Sequence, residues 1–194
     1  MKYCARCGSS VSERVPVGDT HLRLICDQCG FVHYQNPKIV VGCIVQHQDQ
    51  VLLCKRGIQP RHGYWTVPAG FMENGETTYQ GAMRETWEEA TARVELIAPY
   101  LTVNLPHINQ VYMLFRASLS EADFAPGIES LETALFTEAQ VPWDQLAFPT
   151  VAAALRRYFA DRITGHFPHR MADIVENTDD LTGYQIDYLA EPSM

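Results

Sequence analysis

The sequence predicts an α/β domain preceded by a small metal-stapled ribbon. Two C-x2-C pairs, Cys4/Cys7 and Cys26/Cys29, stand at the start. Beyond Asn36-Pro37 the chain alternates β-branched and aliphatic runs with two stretches of helical periodicity. At 194 residues it can bury one core of ordinary size and carry an appendage.

The ribbon is assigned to residues 1–36. An 18-residue gap separates the two pairs, and each ends in Gly, as CARCG and CDQCG. Four thiolates at this spacing suit tetrahedral zinc at Cys4, Cys7, Cys26 and Cys29. Two disulfides are the competing reading, which a reducing compartment disfavours. Such a Cys4 site is closed, so it folds the segment rather than catalyses. HLRLIC, between the pairs, alternates as a strand. Cys43 and Cys54 lie in apolar runs and read as core residues.

The second domain is assigned to residues 37–165. Ile39–Gln46 and Val51–Lys55, separated by HQDQ, read as a hairpin, and Gly63–Val67 as a short strand. Thr77–Ala90 reads as a helix opened by a T-x-x-Q capping box. Strands follow near Val94–Val103, Val111–Leu119 and Glu132–Phe136. Thr150–Asp161 is an amphipathic helix with Val151, Leu155, Tyr158 and Phe159 on its apolar stripe. Residues 166–194 are acid-rich and are expected to form an irregular or loosely docked tail.

The charge is informative. Fifteen Lys and Arg against 23 Asp and Glu give −8. That disfavours bare electrostatic binding to nucleic acid or an anionic membrane, and a polyphosphate would be repelled unless a cation intervened. Lys2, Arg6, Arg14 and Arg23 against Glu13, Asp19 and Asp27 do not make the ribbon a basic patch. The longest apolar run, Ile39–Val45, falls well short of the roughly 20 residues of a membrane helix. MKYCARCGSS has no apolar leader, so a cytoplasmic protein is expected.

The chemistry concentrates in residues 70–92. Glu85, Glu88 and Glu89 share one helical face, where like charges repel. A solvated face beside Arg84 and Arg93 is the plain reading, and a divalent cation with oxygen ligands is the other. The loop PAGFMENGE delivers Glu76 near the helix start.

The spacing G70-x5-E76-x7-R84-E85-x2-E88-E89 resembles the Nudix box, G-x5-E-x7-R-E-aliphatic-x-E-E-x-G-aliphatic. Thr86 replaces the aliphatic residue, Thr91 the last Gly, and Ala69 a second Gly often found before the box. The resemblance implies an α/β/α sandwich with a mixed sheet and Mg²⁺- or Mn²⁺-dependent hydrolysis of a nucleoside diphosphate linked to another moiety. It makes Glu85, Glu88 and Glu89 the metal face, and Gly70, Glu76 and Arg84 the bracing part of the box. The general base is a Glu of the box or one from a later loop, where Glu129 and Glu132 are candidates and Glu132, ahead of the apolar ALF strand, is preferred, with a solvent-facing acid at a strand edge as its competing reading. Arg56 is a candidate phosphate contact, with a surface role as the competing reading. Tyr64, Trp65, Phe71, Tyr112 and Phe115 are available aromatic faces, and His107 and Asn109 are polar candidates near a strand start.

Residues 1–165 resemble the FAD and ADP-ribose pyrophosphatase group. The S-Q-P-W-P-F-P hallmark of the NADH pyrophosphatase group is absent, the region reading PYLTVNLPHINQVYMLF. FAD or ADP-ribose is therefore the expected substrate, with NADH or another dinucleotide, or a non-catalytic nucleotide- or RNA-binding module, as alternatives. The expected partner is a small nucleotide rather than nucleic acid or membrane. Dimerisation, common in the family, is a further expectation.

Overall fold

In the computed structural model, residues 1–176 and 183–189 are described. The chain divides into two compact units, with the boundary between Pro37 and Lys38.

The first unit is an antiparallel three-stranded sheet of β1 (Val11–Arg14), β2 (Arg23–Cys26) and β3 (Val32–His33). Each cysteine pair lies on a tight turn. Gly8 and Gly30 adopt φ of 77° and 67°, and their N–H groups donate to the carbonyls of Cys4 and Cys26. Backbone N–H groups of Arg6 and Cys29 point at the sulfurs of Cys4 and Cys26. The four sulfurs lie within 4.8 Å of one another, with Cys7–Cys26 at 3.4 Å and Cys4–Cys29 at 3.9 Å. A tetrahedral ion with Zn–S bonds of about 2.3 Å needs sulfurs about 3.8 Å apart, so the pocket has the right size.

The second unit contains β4 (Lys38–His47), β5 (Gln50–Arg56), β6 (Trp65–Thr66), β7 (Ala69–Phe71), α1 (Thr78–Ala90), β8 (Val94–Leu105), β9 (Gln110–Leu119), β10 (Ser130–Phe136), α2 (Pro149–Thr164), β11 (Arg170–Glu176) and β12 (Tyr184–Tyr188). Among the described residues these form one mixed sheet in the order β10-β5-β4-β9-β8-β11-β12, with β6 on β5 and β7 on β4. The β4–β9 and β8–β11 pairs are parallel.

Both faces of the central strands are covered, which is why β4 reads as a continuous apolar run rather than an alternation. Val41, Cys43, Val45, Leu52 and Cys54 pack with Ala82 and Ala90 of α1. Ile44, Val51 and Leu53 pack with Val151, Leu155, Tyr158 and Phe159 of α2 on the other face. The expected hairpin is present, although β4 and β5 pair only at Gln46–Val51 and His47–Gln50. The strand expected at Gly63–Val67 shortens to Trp65–Thr66.

The expected irregular tail is corrected in its described part. β11 continues the sheet beside β8, from Arg170 opposite Leu101 to Asp173 opposite Asn104, and β12 pairs antiparallel with β11. A buried ion pair secures the junction. Arg170 grips both carboxylate oxygens of Asp161, near the end of α2, at 2.5 and 2.9 Å. Tyr100 donates its hydroxyl to the same carboxylate at 2.7 Å. Asn104 donates to Asp173 one strand further along.

Removing one member of a buried pair strands the other's charge. Asp161→Ala is expected to lose about 3–5 kcal/mol of unfolding free energy in a urea titration. Glu132→Ala, which removes the exposed partner of Lys55, should lose less than about 1 kcal/mol.

Candidate active site

Helix α1 begins where Thr77 caps it. Its hydroxyl accepts from the Gln80 N–H, and the Gln80 side chain accepts from the Thr77 N–H at 2.8 Å. Fixing this end fixes the angular position of every later residue, so Glu85 and Glu89 turn toward β7 while Glu88 stays exposed. β7 in turn is held by β4. Gly42 makes the approach possible, since a Cβ there would lie 2.3 Å from that of Ala69. The missing second Gly is thus compensated by one on the partner strand.

The strand then touches the acids directly. The Ala69 N–H donates to Glu89 Oε2 at 3.1 Å. A Cβ on Gly70 would lie 2.2–2.5 Å from the Glu85 carboxylate atoms, so only glycine fits beneath that group. Arg84 braces the loop and distributes positive charge. Its Nε and Nη2 bind the two Glu76 oxygens at 3.0 and 2.8 Å, Nη1 binds Glu85 at 2.7 Å and Glu88 at 3.0 Å, and Nη2 also reaches the Phe71 carbonyl. Hydrogen bonding to Arg84 and the Glu73 N–H holds Glu76 down to about 2.

The two unmatched box positions are satisfied locally. Thr86 is fully buried, but its hydroxyl donates to the Ala82 carbonyl one turn back at 2.8 Å. Thr91 takes the left-handed conformation, φ 46°, that the family Gly would supply. Its hydroxyl both donates to the Ala125 carbonyl and accepts from the Ala125 N–H. With the bond from the Gly127 N–H to the Glu89 carbonyl, this pins the 125–129 loop to the end of α1.

These elements border a cavity of about 1220 Å³, above the roughly 300–1,000 Å³ of most small-molecule sites. Glu85, Glu88, Glu89, Gly70, Arg84, Arg56 and Glu129 line it. Leu105, His107, Tyr112, Phe148, Ile174 and Tyr184 line it as well. Arg56 is fixed by a 2.9 Å bond from Nε to the Pro60 carbonyl and by stacking on Phe148. The Gly57 N–H binds the Glu129 carbonyl at 2.7 Å, tying the same loop to the end of β5.

The structure brings together most, not all, of the candidate residues. Glu132 sits on β10 and pairs with Lys55 at 3.5 Å; Glu129, two residues after Gly127, faces the acids instead. The one-in-two alternation of a strand, broken here by a register shift between Ser130 and Glu132, separates the two glutamates. Tyr64 stacks with Arg61 and does not line the cavity. Trp65 and Phe115 are core residues, as are Cys43 and Cys54. Ile174 and Tyr184 were missed because they belong to the presumed tail.

Burial dominates the electrostatics of the acids. It pushes Glu85 upward, and pushes Glu89 up to about 8, helped by repulsion from Glu85 and Glu129 and opposed by the Ala69 N–H and Arg56. A carboxyl raised in the fold favours folding only while protonated. Its contribution is present below about pH 4.5 and is lost as pH rises toward 8. Without added divalent metal, the wild-type melting temperature should therefore fall between pH 5 and pH 8. Glu89→Gln should show a shallower fall, by the equivalent of a few kcal/mol across that range.

The chain belongs to the Nudix family. The NUDIX domain matches residues 36–162, and the Nudix N-terminal family, a zinc ribbon, matches residues 2–35. A Nudix hydrolase from Nitrosomonas europaea of known crystal structure is 54% identical and superposes with a TM-score of 0.87, covering 90% of this chain and 99% of that one. The NAD-capped RNA hydrolase NudC of Photobacterium profundum is 30% identical over 141 residues, 72% of this chain and 50% of that protein. The protein of the same name from Vibrio vulnificus is 31% identical over 147 residues, 73% and 53%. The chain thus spans about half the length of these curated relatives. An ADP-ribose pyrophosphatase from Streptococcus suis, at 19% identity and a TM-score of 0.56 over 70% of this chain and 99% of that one, shares the fold. Among the described residues no helix is long and apolar enough to cross a membrane.

Proposed function

We propose that this protein hydrolyses the pyrophosphate bond of a dinucleotide-type substrate, with NAD(H)-like compounds preferred. The observation that carries the reading is one cavity lined by clustered carboxylates, a fixed arginine and several rings. The names of the curated relatives favour the dinucleotide over FAD. ADP-ribose or FAD is the second reading, favoured by the lack of the NADH hallmark between β8 and β9.

The residues fit a divalent cation. Glu85 and Glu89 are hard oxygen donors, buried together, with negative charge that Arg84 offsets only at Glu85. Glu88 is exposed and, among the described residues, its carboxylate is held by Arg84, so it can swing in as a third donor. Among the described residues only the four cysteines converge closely as they stand. Bound to these glutamates, Mg²⁺ or Mn²⁺ supplies charge neutralisation for the diphosphate and acidifies water. Arg56 binds the phosphoryl oxygens, which compensates for a protein of the same sign as its substrate. Glu129, outside the buried pair, accepts the proton of the attacking water as its oxygen joins phosphorus. The bridging P–O bond breaks, and two mononucleotide-type products leave. Zinc on the four cysteines is structural.

Purified protein with Mg²⁺ or Mn²⁺ should convert NADH to AMP and the reduced nicotinamide mononucleotide, read by chromatography beside ADP-ribose and FAD. Glu85→Gln, Glu89→Gln and Glu129→Gln should each lower kcat by about 10²–10⁴. Glu132→Gln should stay within about twofold. Near-normal turnover by Glu89→Gln would overturn the assignment; cleavage of FAD alone would reverse the order of substrates.

A further inference from the structure

The described strands β11 and β12 lie beyond residues 36–162, where the family match ends, yet they contribute to the cavity. Ile174 is buried on β11, and Tyr184 lies opposite Glu176 at the start of β12. Tyr184 meets His107, whose ring centroid is 5.6 Å away at a 42° tilt. His107 is fixed independently. It occupies the short helical turn Pro106–Ile108 between β8 and β9, which ends in the left-handed Asn109. The two rings therefore approach from separate elements, and the Asp161–Arg170 pair sets where the second one lies.

Beside the two rings, Leu105, Tyr112 and Ile174 belong to one apolar cluster that also holds Tyr184, and all of them line the cavity. His107 Nδ1 is buried and has no hydrogen-bond partner among the described residues. Two ring faces and an aliphatic surround suit a planar heteroaromatic ring rather than a phosphate or a sugar.

We propose that the C-terminal strands are a specificity element of the hydrolase, with Tyr184 and His107 forming the wall against which a planar heteroaromatic ring of the nucleotide substrate packs. The proposal rests on the pyrophosphohydrolase reading for its substrate, but not for its test. Binding of AMP, nicotinamide mononucleotide, FMN and base-free ribose 5-phosphate is measured by calorimetry on wild type, Tyr184→Ala, Tyr184→Phe and His107→Ala, with no turnover required. Loss of one stacking face should weaken at least one ring-bearing ligand tenfold or more in Tyr184→Ala. Tyr184→Phe should stay within about twofold of wild type, and ribose 5-phosphate should not change. If Tyr184→Ala does not fold, His107→Ala must show the same selective loss. The proposal is overturned if every ring-bearing ligand stays within twofold, if ribose 5-phosphate weakens equally, or if the wild type binds none of the three. Ring-selective binding without hydrolysis of any dinucleotide would leave the wall standing and remove the catalytic reading.

Discussion

Two carboxylates, Glu85 and Glu89, are buried where helix α1 meets β7, and the surrounding structure answers that placement. Taking a carboxylate out of water is expensive unless its charge is balanced or its lone pairs are used. Here Ala69 supplies an N–H, Arg84 supplies one guanidinium shared among Glu76, Glu85 and Glu88, and glycine supplies room beneath Glu85. The compensation is incomplete, since Glu89 is still pushed up to about 8. On the proposed metal-dependent reading, a divalent cation supplies the missing compensation, and the stability given up in burying these acids is part of how the site works.

The legible part of this arrangement was local. One helix places residues by fixed rotation, so the spacing from Gly70 to Glu89 showed which acids share a face and where the loop returns. The Thr77 cap and the continuous apolar runs of β4 and β5 were equally local. The departures at Ala69, Thr86 and Thr91 could be noticed in sequence but not explained there. Their compensations lie at Gly42, at the Ala82 carbonyl and at Ala125, the first and last about 30 residues away along the chain. Glu129 and Glu132 differ by three residues and face different surroundings, because a register shift in the β5–β10 pairing falls between Ser130 and Glu132.

The C-terminal strands were illegible for a stronger reason. Their acidic composition reads as solvated chain, and β11 pairs in parallel with a strand some 70 residues earlier, which no local pattern announces. Arg170, the lone base in a run of acids, reads as a surface residue until Asp161 is placed beside it. Once that pair is buried, β11 has one position on the sheet edge, and β12 follows from pairing with β11.

The same architecture separates two requirements that compete in an acidic protein. Hydrolysis of a diphosphate needs clustered carboxylates, and those carboxylates repel the substrate they must hold. Binding cannot then come from the acids alone, even with Arg56 fixed beside them. Apolar contact with the rings would supply attraction without adding charge. On the proposed ring wall, His107 lies within the family match and Tyr184 on a strand beyond it, placed by the Asp161–Arg170 pair rather than by the helix that carries Glu85 and Glu89.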